Sequence, residues 1–303
     1  MIKDFNSIIF HSPCSDGVSA LWASCHYKDI SNKIQCKAGV NPKSNFSNQN
    51  IVFVDICPSF DYIVSTALTA NYILILDHHK SASDMYNNNK SKFDKLINVK
   101  FIFDMERSGC QMAWDYFFDN KPRPWFIDYI ADRDLWKWEL ENSREINTAL
   151  HENNIIDPTN LVKLDNLLID EETKKNNLIT DGKIILQLQK KELDFACNKS
   201  IEATMTVNNI TYRLWLGGNL TNSLRSDLGN ILSKKVFSDN TLPNFAAIWM
   251  YEPKLNEWWI SLRGSNNCPD LSIITTFLGG GGHPKAAGFT IKNGKHLKDF
   301  FNF

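Results

Sequence analysis

The chain has 303 residues, 43% of them hydrophobic and 22% charged, with a formal net charge of −1. This length suggests two domains with room for sizeable cores. The near-zero charge argues against a protein that coats long nucleic acid, which needs a basic face, and leaves small anionic substrates open. The seven cysteines, at 14, 25, 36, 57, 110, 197 and 268, form no CxxC pair. That spacing fits neither a disulfide framework nor a zinc ribbon, so reduced thiols in a cytoplasmic setting are expected. No signal-peptide core and no membrane-spanning apolar run is visible.

Ser7 to Phe10 reads as a short strand ending at His11. A turn through Ser12-Pro13-Cys14-Ser15 leads to Asp16-Gly17, which open an apolar helix to Tyr27. An acid at a helix start is explained by capping and the dipole alone. Ile34 to Ala38 reads as a second strand, and Ile51 to Val54 as a third that ends in Asp55. A helix from Phe60 to Leu68 precedes the run Tyr72-Ile73-Leu74-Ile75-Leu76, which reads as a buried parallel strand. Asp77-His78-His79 stand at its carboxyl end, where open α/β sheets bind ligands. An acid with two imidazoles suits Mn²⁺, Fe²⁺ or Zn²⁺. Taken alone, the triplet fits a solvated loop as well. Strands ending in His11, Asp55 and Asp77-His78-His79 bring those side chains to one edge, and separate surface accidents explain that poorly.

Lys80 to Asn98 is polar and Asn-rich and reads as loop with a fragment of helix. Lys100 to Asp104 reads as a strand, and Ser108 as the cap of a helix from Gly109 to Phe118. Trp125 starts a helix running into Asp132-Arg133-Asp134. A buried Asp132 needs a partner, either Arg133 or a metal. From Glu141 to Ser200 the leucine spacing predicts a helical connector without chemistry of its own. A second domain begins near Ile201, with a hairpin across Asn208-Asn209, a helix from Leu224 to Ser233, and strands Phe245 to Tyr251 and Trp258 to Arg263. Asp270 caps a short helix to Phe277. Gly279 to Gly282 then run into His283 and Ala286-Ala287-Gly288-Phe289. Consecutive glycines let a backbone approach an anion closely, and the small residues that follow speak against a mere hinge. Arg263 can add a bidentate phosphate contact or be a surface arginine.

Asp77-His78-His79 together with Gly279 to His283 and Ala286 to Phe289 resemble the DHH phosphoesterase superfamily with a DHHA1-type second domain. His11 to Gly17, Asp55 and Asp132 fill the remaining motif slots in order. The resemblance covers nearly the whole chain and is nearest the short NrnA-like members. It implies an α/β fold: a parallel-sheet DHH domain over residues 1–140, a helical linker over 141–200, and a smaller mixed α/β DHHA1-type domain over 201–303. It implies metal ligation by Asp16, Asp55, His78 and Asp132, with Asp55 bridging two ions, Mn²⁺ or another divalent ion such as Mg²⁺. Asp77 is then expected to orient His78, and His79 to contact the phosphate and protonate the leaving oxygen. Gly280, Gly281, Gly282 and His283 are expected to hold a substrate phosphate, with Arg263 beside them. One departure stands out: many relatives carry Asp-x-Asp in the first motif, and here the first position is Cys14. Cys14 is then a spectator, a soft ligand, or a sign that His11 supplies the missing contact.

The expected activity is metal-assisted hydrolysis of phosphodiester or phosphomonoester bonds in short oligonucleotides or small nucleotides. The rivals are a processive single-strand exonuclease, which needs a basic groove and stacking aromatics, and a non-catalytic nucleotide sensor. Hydrolysis of inorganic pyrophosphate or polyphosphate is a further, weaker enzyme alternative.

Overall fold

The structure is a computed structural model that describes residues 2–119, 121–218, 220–221, 224–292 and 294–303. It divides into two compact units, Met1–Leu186 and Gln187–Phe303. The division falls inside one long helix, Glu171–Lys199.

The first unit runs β1 (Ser7–His11), α1 (Ser15–Tyr27), β2 (Asn32–Cys36), β3 (Asn50–Val54), α2 (Phe60–Ala67), β4 (Tyr72–Asp77), α3 (Lys80–Asn88), α4 (Lys90–Phe93), β5 (Val99–Phe103), α5 (Gly109–Phe118) and α6 (Trp125–Asp134). Then follow α7 (Ser143–Glu152), α8 (Val162–Asp165) and α9, the long helix. Its strands form a fully parallel sheet in the order β2-β1-β3-β4-β5. Alternating side chains divide the apolar runs between two cores. Ile8, Phe10, Val52, Val54, Leu74 and Leu76 join the core that holds Trp22, Phe117 and Phe126. Ile9, Ile51, Phe53, Ile73 and Ile75 join the core under Ile63 and Phe93 on the other face. A sheet buried on both faces explains why the strands read as unbroken apolar runs. In this strand order the chain reverses direction between β1 and β3, and a crevice opens there at the carboxyl ends.

Residues 80–98 are more helical than the polar composition suggests, because α3 and α4 occupy most of them. Lys80–Asp84 at 2.7 Å and Lys90–Asp94 at 3.0 Å are i,i+4 ion pairs that brace the exposed faces. Tyr86 and Phe93 turn inward onto Phe101, with ring centroids 4.7 Å away in each case.

The second unit carries β6 (Ile201–Val207), β7 (Ile210–Gly218), α10 (Arg225–Leu232), β8 (Phe245–Glu252), β9 (Glu257–Arg263), α11 (Leu271–Phe277), β10 (Gly281–His283), β11 (Ala286–Ile291) and β12 (Phe301–Asn302). The sheet order is β10-β11-β9-β8-β7-β6-β12. It is mixed, with β7 and β8 parallel and the other pairs antiparallel. Asn208 and Asn209 both have positive φ, 50° and 63°, as a two-residue hairpin turn of the mirror-image type requires. Asp270 caps α11 by accepting the Ser272 N–H at 3.0 Å.

Candidate metal centre

β1, β3 and β4 deliver His11, Asp55 and Asp77-His78-His79 to one end of the parallel sheet. Asp55 follows β3 with φ of 58°, a left-handed conformation that Asp tolerates, and its N–H is held by Leu76 O at 2.9 Å. Turned this way, its carboxylate faces two histidines. Oδ2 lies 3.3 Å from His11 Nδ1 and Oδ1 lies 3.1 Å from His78 Nε2. His78 Nε2 is also 3.5 Å from Asp134 Oδ2 and 3.7 Å from Asp16 Oδ2. Asp16, in the first turn of α1, accepts the Gly109 N–H at 2.5 Å through Oδ2 and the Cys110 N–H at 2.9 Å through Oδ1. Those are the first N–H groups of α5, where the helix dipole favours a carboxylate. Gly109 makes the approach possible: a Cβ there would stand 2.5 Å from Asp55 Cβ and 2.8 Å from Asp16 Oδ2.

Within this unit two ligand groups result, His11/Asp55/His79 and Asp16/His78/Asp134, with the ligand atoms of each within 4.8 Å of one another. Asp55 joins them, one oxygen facing each. The electrostatics are those of a site built for a cation. Burial, together with the charges of Asp55 and Asp134, pushes the Asp16 carboxyl up to about 7. Burial alone would lower His78, but Asp55, Asp134 and Asp16 lift it to about 10. Burial would raise Asp55, yet His11 and His78 hold it far below the carboxylate range. His11 Nδ1 and Asp55 Oδ2 are buried and neither has a hydrogen bond. A divalent cation would satisfy both, and the mixed nitrogen and oxygen donors suit a first-row ion.

No protein-family model matches the chain. It is 28% identical over 311 residues to the uncharacterised protein R106 of Acanthamoeba polyphaga mimivirus, covering 97% of this chain and 69% of that one. It is 24% identical over 228 residues to the oligoribonuclease NrnB of Bacillus subtilis (strain 168), covering 72% of this chain and 53% of NrnB. The chain thus spans about half the length of that relative. Among solved structures it is similar to PggH of Vibrio cholerae, a pGpG-specific phosphodiesterase, at 10% identity and a TM-score of 0.42, covering 98% of this chain and 94% of that one. Of the motif residues, His11, Asp16, Asp55, His78 and His79 meet at one end of the parallel sheet.

Within the first unit, His11, Asp16, Asp55, His78 and His79 come together, and Asp132 is not among them. Its buried carboxylate accepts the N–H of Glu139 at 2.9 Å and of Leu140 at 3.4 Å. It thereby pins the chain leaving α6, where Trp136 and Trp138 both have positive φ. Asp134, two residues on, takes the place beside His78. Asp77 also acts differently from expectation. Its Oδ1 accepts the His78 N–H at 2.8 Å and lies 2.7 Å from His79 Nδ1, so the ring it orients is that of His79. Burial would lower His79, but Asp77 outweighs it and raises the imidazole. Cys14 stands at the N-cap of α1 and lies in neither ligand group.

In the second unit strand packing accounts for Gly280 and Gly282. A Cβ on Gly280 would stand 2.0 Å from Gly288 O, and one on Gly282, whose φ is 137°, would stand 2.6 Å from Ala286 O. Gly281 pairs with Gly288 and His283 with Ala286 across β10 and β11. Arg263 ends β9, half-buried, between Ala246 on β8 and Ala286 on β11. Among the described residues no helix is long and apolar enough to cross a membrane.

Proposed function

We propose that the chain is a divalent-metal-dependent phosphoesterase that hydrolyses phosphodiester or phosphomonoester bonds in short oligonucleotides or small nucleotides. One observation carries this reading: two three-residue ligand groups lie side by side at the carboxyl end of a parallel sheet, with Asp55 of one facing His78 of the other. A bound divalent ion there polarises a phosphoryl oxygen and acidifies a bound water. His11, Asp55 and His79 would hold one ion, and Asp16, His78 and Asp134 a second. Imidazole beside carboxylate favours Mn²⁺ over Mg²⁺. Asp77 fixes the His79 ring and raises its pKa, which suits His79 to deliver a proton to the leaving oxygen. Arg263 and His283, with the backbone of Gly280 to Gly282, hold a substrate phosphate. The seven thiols are all free, in keeping with a cytoplasmic setting.

The test is turnover by the full chain with Mn²⁺ against short RNA, short DNA, a cyclic dinucleotide, adenosine 3′,5′-bisphosphate and pyrophosphate. Metal-dependent cleavage of a short nucleotide, abolished by a chelator, is the expected result. Cleavage of pyrophosphate alone, processive degradation of long strands, or tight nucleotide binding without turnover overturns the reading.

A further inference from the structure

Among the described residues Asp16 accepts hydrogen bonds from two groups, the N–H of Gly109 at 2.5 Å and of Cys110 at 2.9 Å. His78 Nε2 stands 3.7 Å off, beyond hydrogen-bond reach. Where the Asp16 carboxylate points is therefore decided by where α5 begins. α5 follows a short connection, residues 104–108, that leaves β5 and ends at the N-cap Ser108.

One side chain in this connection bridges both of its ends. Arg107 Nε donates to Asp104 Oδ2 at 2.7 Å, and Arg107 Nη1 donates to Asp115 Oδ2 at 2.7 Å. Asp104 directly follows β5, and Asp115 lies within α5. The guanidinium thus ties the strand end to the helix across the segment that presents the two N–H groups. A planar fork that holds two carboxylates at once fixes distance and angle together. Both anchors are themselves held. Asp115 has 7% of its side chain exposed, and its Oδ1 accepts from Arg123 Nε at 2.9 Å. Asp104 Oδ1 accepts the Glu106 N–H at 2.9 Å.

We propose that Arg107, which belongs to neither ligand group, is a positioning residue for one of the two ions. By clamping β5 to α5 it holds the Gly109 and Cys110 N–H groups where they aim the Asp16 carboxylate into the Asp16/His78/Asp134 group. This rests on Asp16 being a ligand in the proposed metal site. The His11/Asp55/His79 group is carried by the ends of β1, β3 and β4, outside the clamp. Charge alone would act in the opposite direction. Arg107 is a cation near a cation site, so removing it would tighten metal binding if its charge were what mattered.

The test is Mn²⁺ binding to the full chain, followed as bound against free metal by equilibrium dialysis and elemental analysis. Arg107→Gln should weaken one of two Mn²⁺ equivalents by roughly tenfold or more, the range for groups that orient a ligand, and leave the other nearly unchanged. Arg107→Lys keeps the charge but loses the fork, and should fall between. Arg123→Gln is the control, since it loosens the same Asp115 without touching residues 104–108. It should lower the melting temperature and leave Mn²⁺ affinity nearly unchanged. In an Asp16→Asn background Arg107→Gln should weaken Mn²⁺ no further, because the two act through one ligand. Tighter or unchanged Mn²⁺ binding in a folded Arg107→Gln protein, equal losses from Arg107→Gln and Arg123→Gln, or additive losses with Asp16→Asn overturns the proposal. Should Arg107→Gln not fold, wild-type Mn²⁺ affinity in Arg107→Lys overturns it. If Asp16→Asn itself keeps both equivalents, the metal-site reading falls and the role of Arg107 with it. Loss of metal on Asp16→Asn without loss on Arg107→Gln sinks Arg107 alone.

Discussion

The two units pose opposite electrostatic problems. At the end of the parallel sheet Asp16, Asp55 and Asp134 crowd around one imidazole, and the strain appears as an Asp16 carboxyl raised to about 7. On the mixed sheet Arg263 is buried, and burial together with the charge of Arg225 on α10 lowers it to about 10. Burial is the largest cause of each shift, and the like charge beside each group adds to it. Asp132 and Asp115 are also buried, but backbone N–H groups satisfy the first and two arginines the second. Uncompensated charge of one sign is what separates a binding site from a buried structural polar group.

The largest expected effect breaks the negative half of this comparison. Asp55→Ala or His78→Ala removes a ligand at a strand end without removing core volume. Bound Mn²⁺, measured by elemental analysis after dialysis, should fall by roughly 100-fold or more in affinity, beyond the range for groups behind the ligands. Turnover should vanish with it while far-UV circular dichroism stays native. Full metal content in either variant would sink the site.

Next comes the choice between two acids on one helix. Residues two apart on a helix point about 200° apart, so only one of Asp132 and Asp134 can face the ligand groups. Asp134→Asn should weaken Mn²⁺ binding by roughly tenfold or more with little change in melting temperature. Asp132→Asn should leave Mn²⁺ affinity nearly intact and cost roughly 1–3 kcal/mol of stability through its N–H partners. The reverse pattern would restore Asp132 as the ligand.

That pair also shows where the sequence stops being legible. His11, Asp55 and His78 are readable because each ends a short apolar run, and parallel strand ends converge by geometry alone. Asp132 and Asp134 lie at a helix end, where the facing side depends on a rotation that no local pattern fixes. The aromatic run after it misleads further, since Trp136 and Trp138 take left-handed conformations that let the chain fold back onto Asp132. The Asp77–His79 contact is likewise invisible in the motif, because it depends on where one carboxylate turns after β4. In the second unit the four glycines draw the eye, but close packing against β11 accounts for two of them.

A smaller effect is the pH dependence of the metal-free chain. Asp16, at about 7, lies above the roughly 3.9 of an unfolded Asp, so it binds a proton on folding and its contribution weakens as pH rises from about 4 to 7. His78, at about 10 against 6.5, contributes stability that is complete below pH 6.5 and lost as pH rises through 10. Asp55 acts in the opposite sense, but only at pH values below the ordinary carboxylate range. The metal-free protein should therefore melt at a lower temperature at pH 8.5 than at pH 6. Mn²⁺ competes with the same protons, so its affinity should rise by up to about tenfold per pH unit for each proton displaced. A Mn²⁺ dissociation constant that stays flat between pH 6 and 8.5 would mean these groups do not hold the ion.

The smallest expected effect concerns Cys14. Burial raises its thiol well above the ordinary range, and Asp55, Asp134 and Asp16 add to the shift, so at neutral pH it is an uncharged group at the N-cap of α1. A protonated thiol outside both ligand groups contributes little to a hard or borderline ion. Serine keeps the shape and is a preferred cap, so Cys14→Ser should change Mn²⁺ affinity by less than about threefold. Cys14→Asp should move two observables in opposite directions. A further carboxylate among three others lowers the melting temperature of the metal-free protein, and the same hard donor tightens Mn²⁺ binding. A structural cap alone would shift the melting temperature without touching the metal. A large loss of Mn²⁺ on Cys14→Ser, with a thiolate-to-metal absorption band in the Co²⁺-loaded wild type that the variant lacks, would instead make the sulfur a ligand.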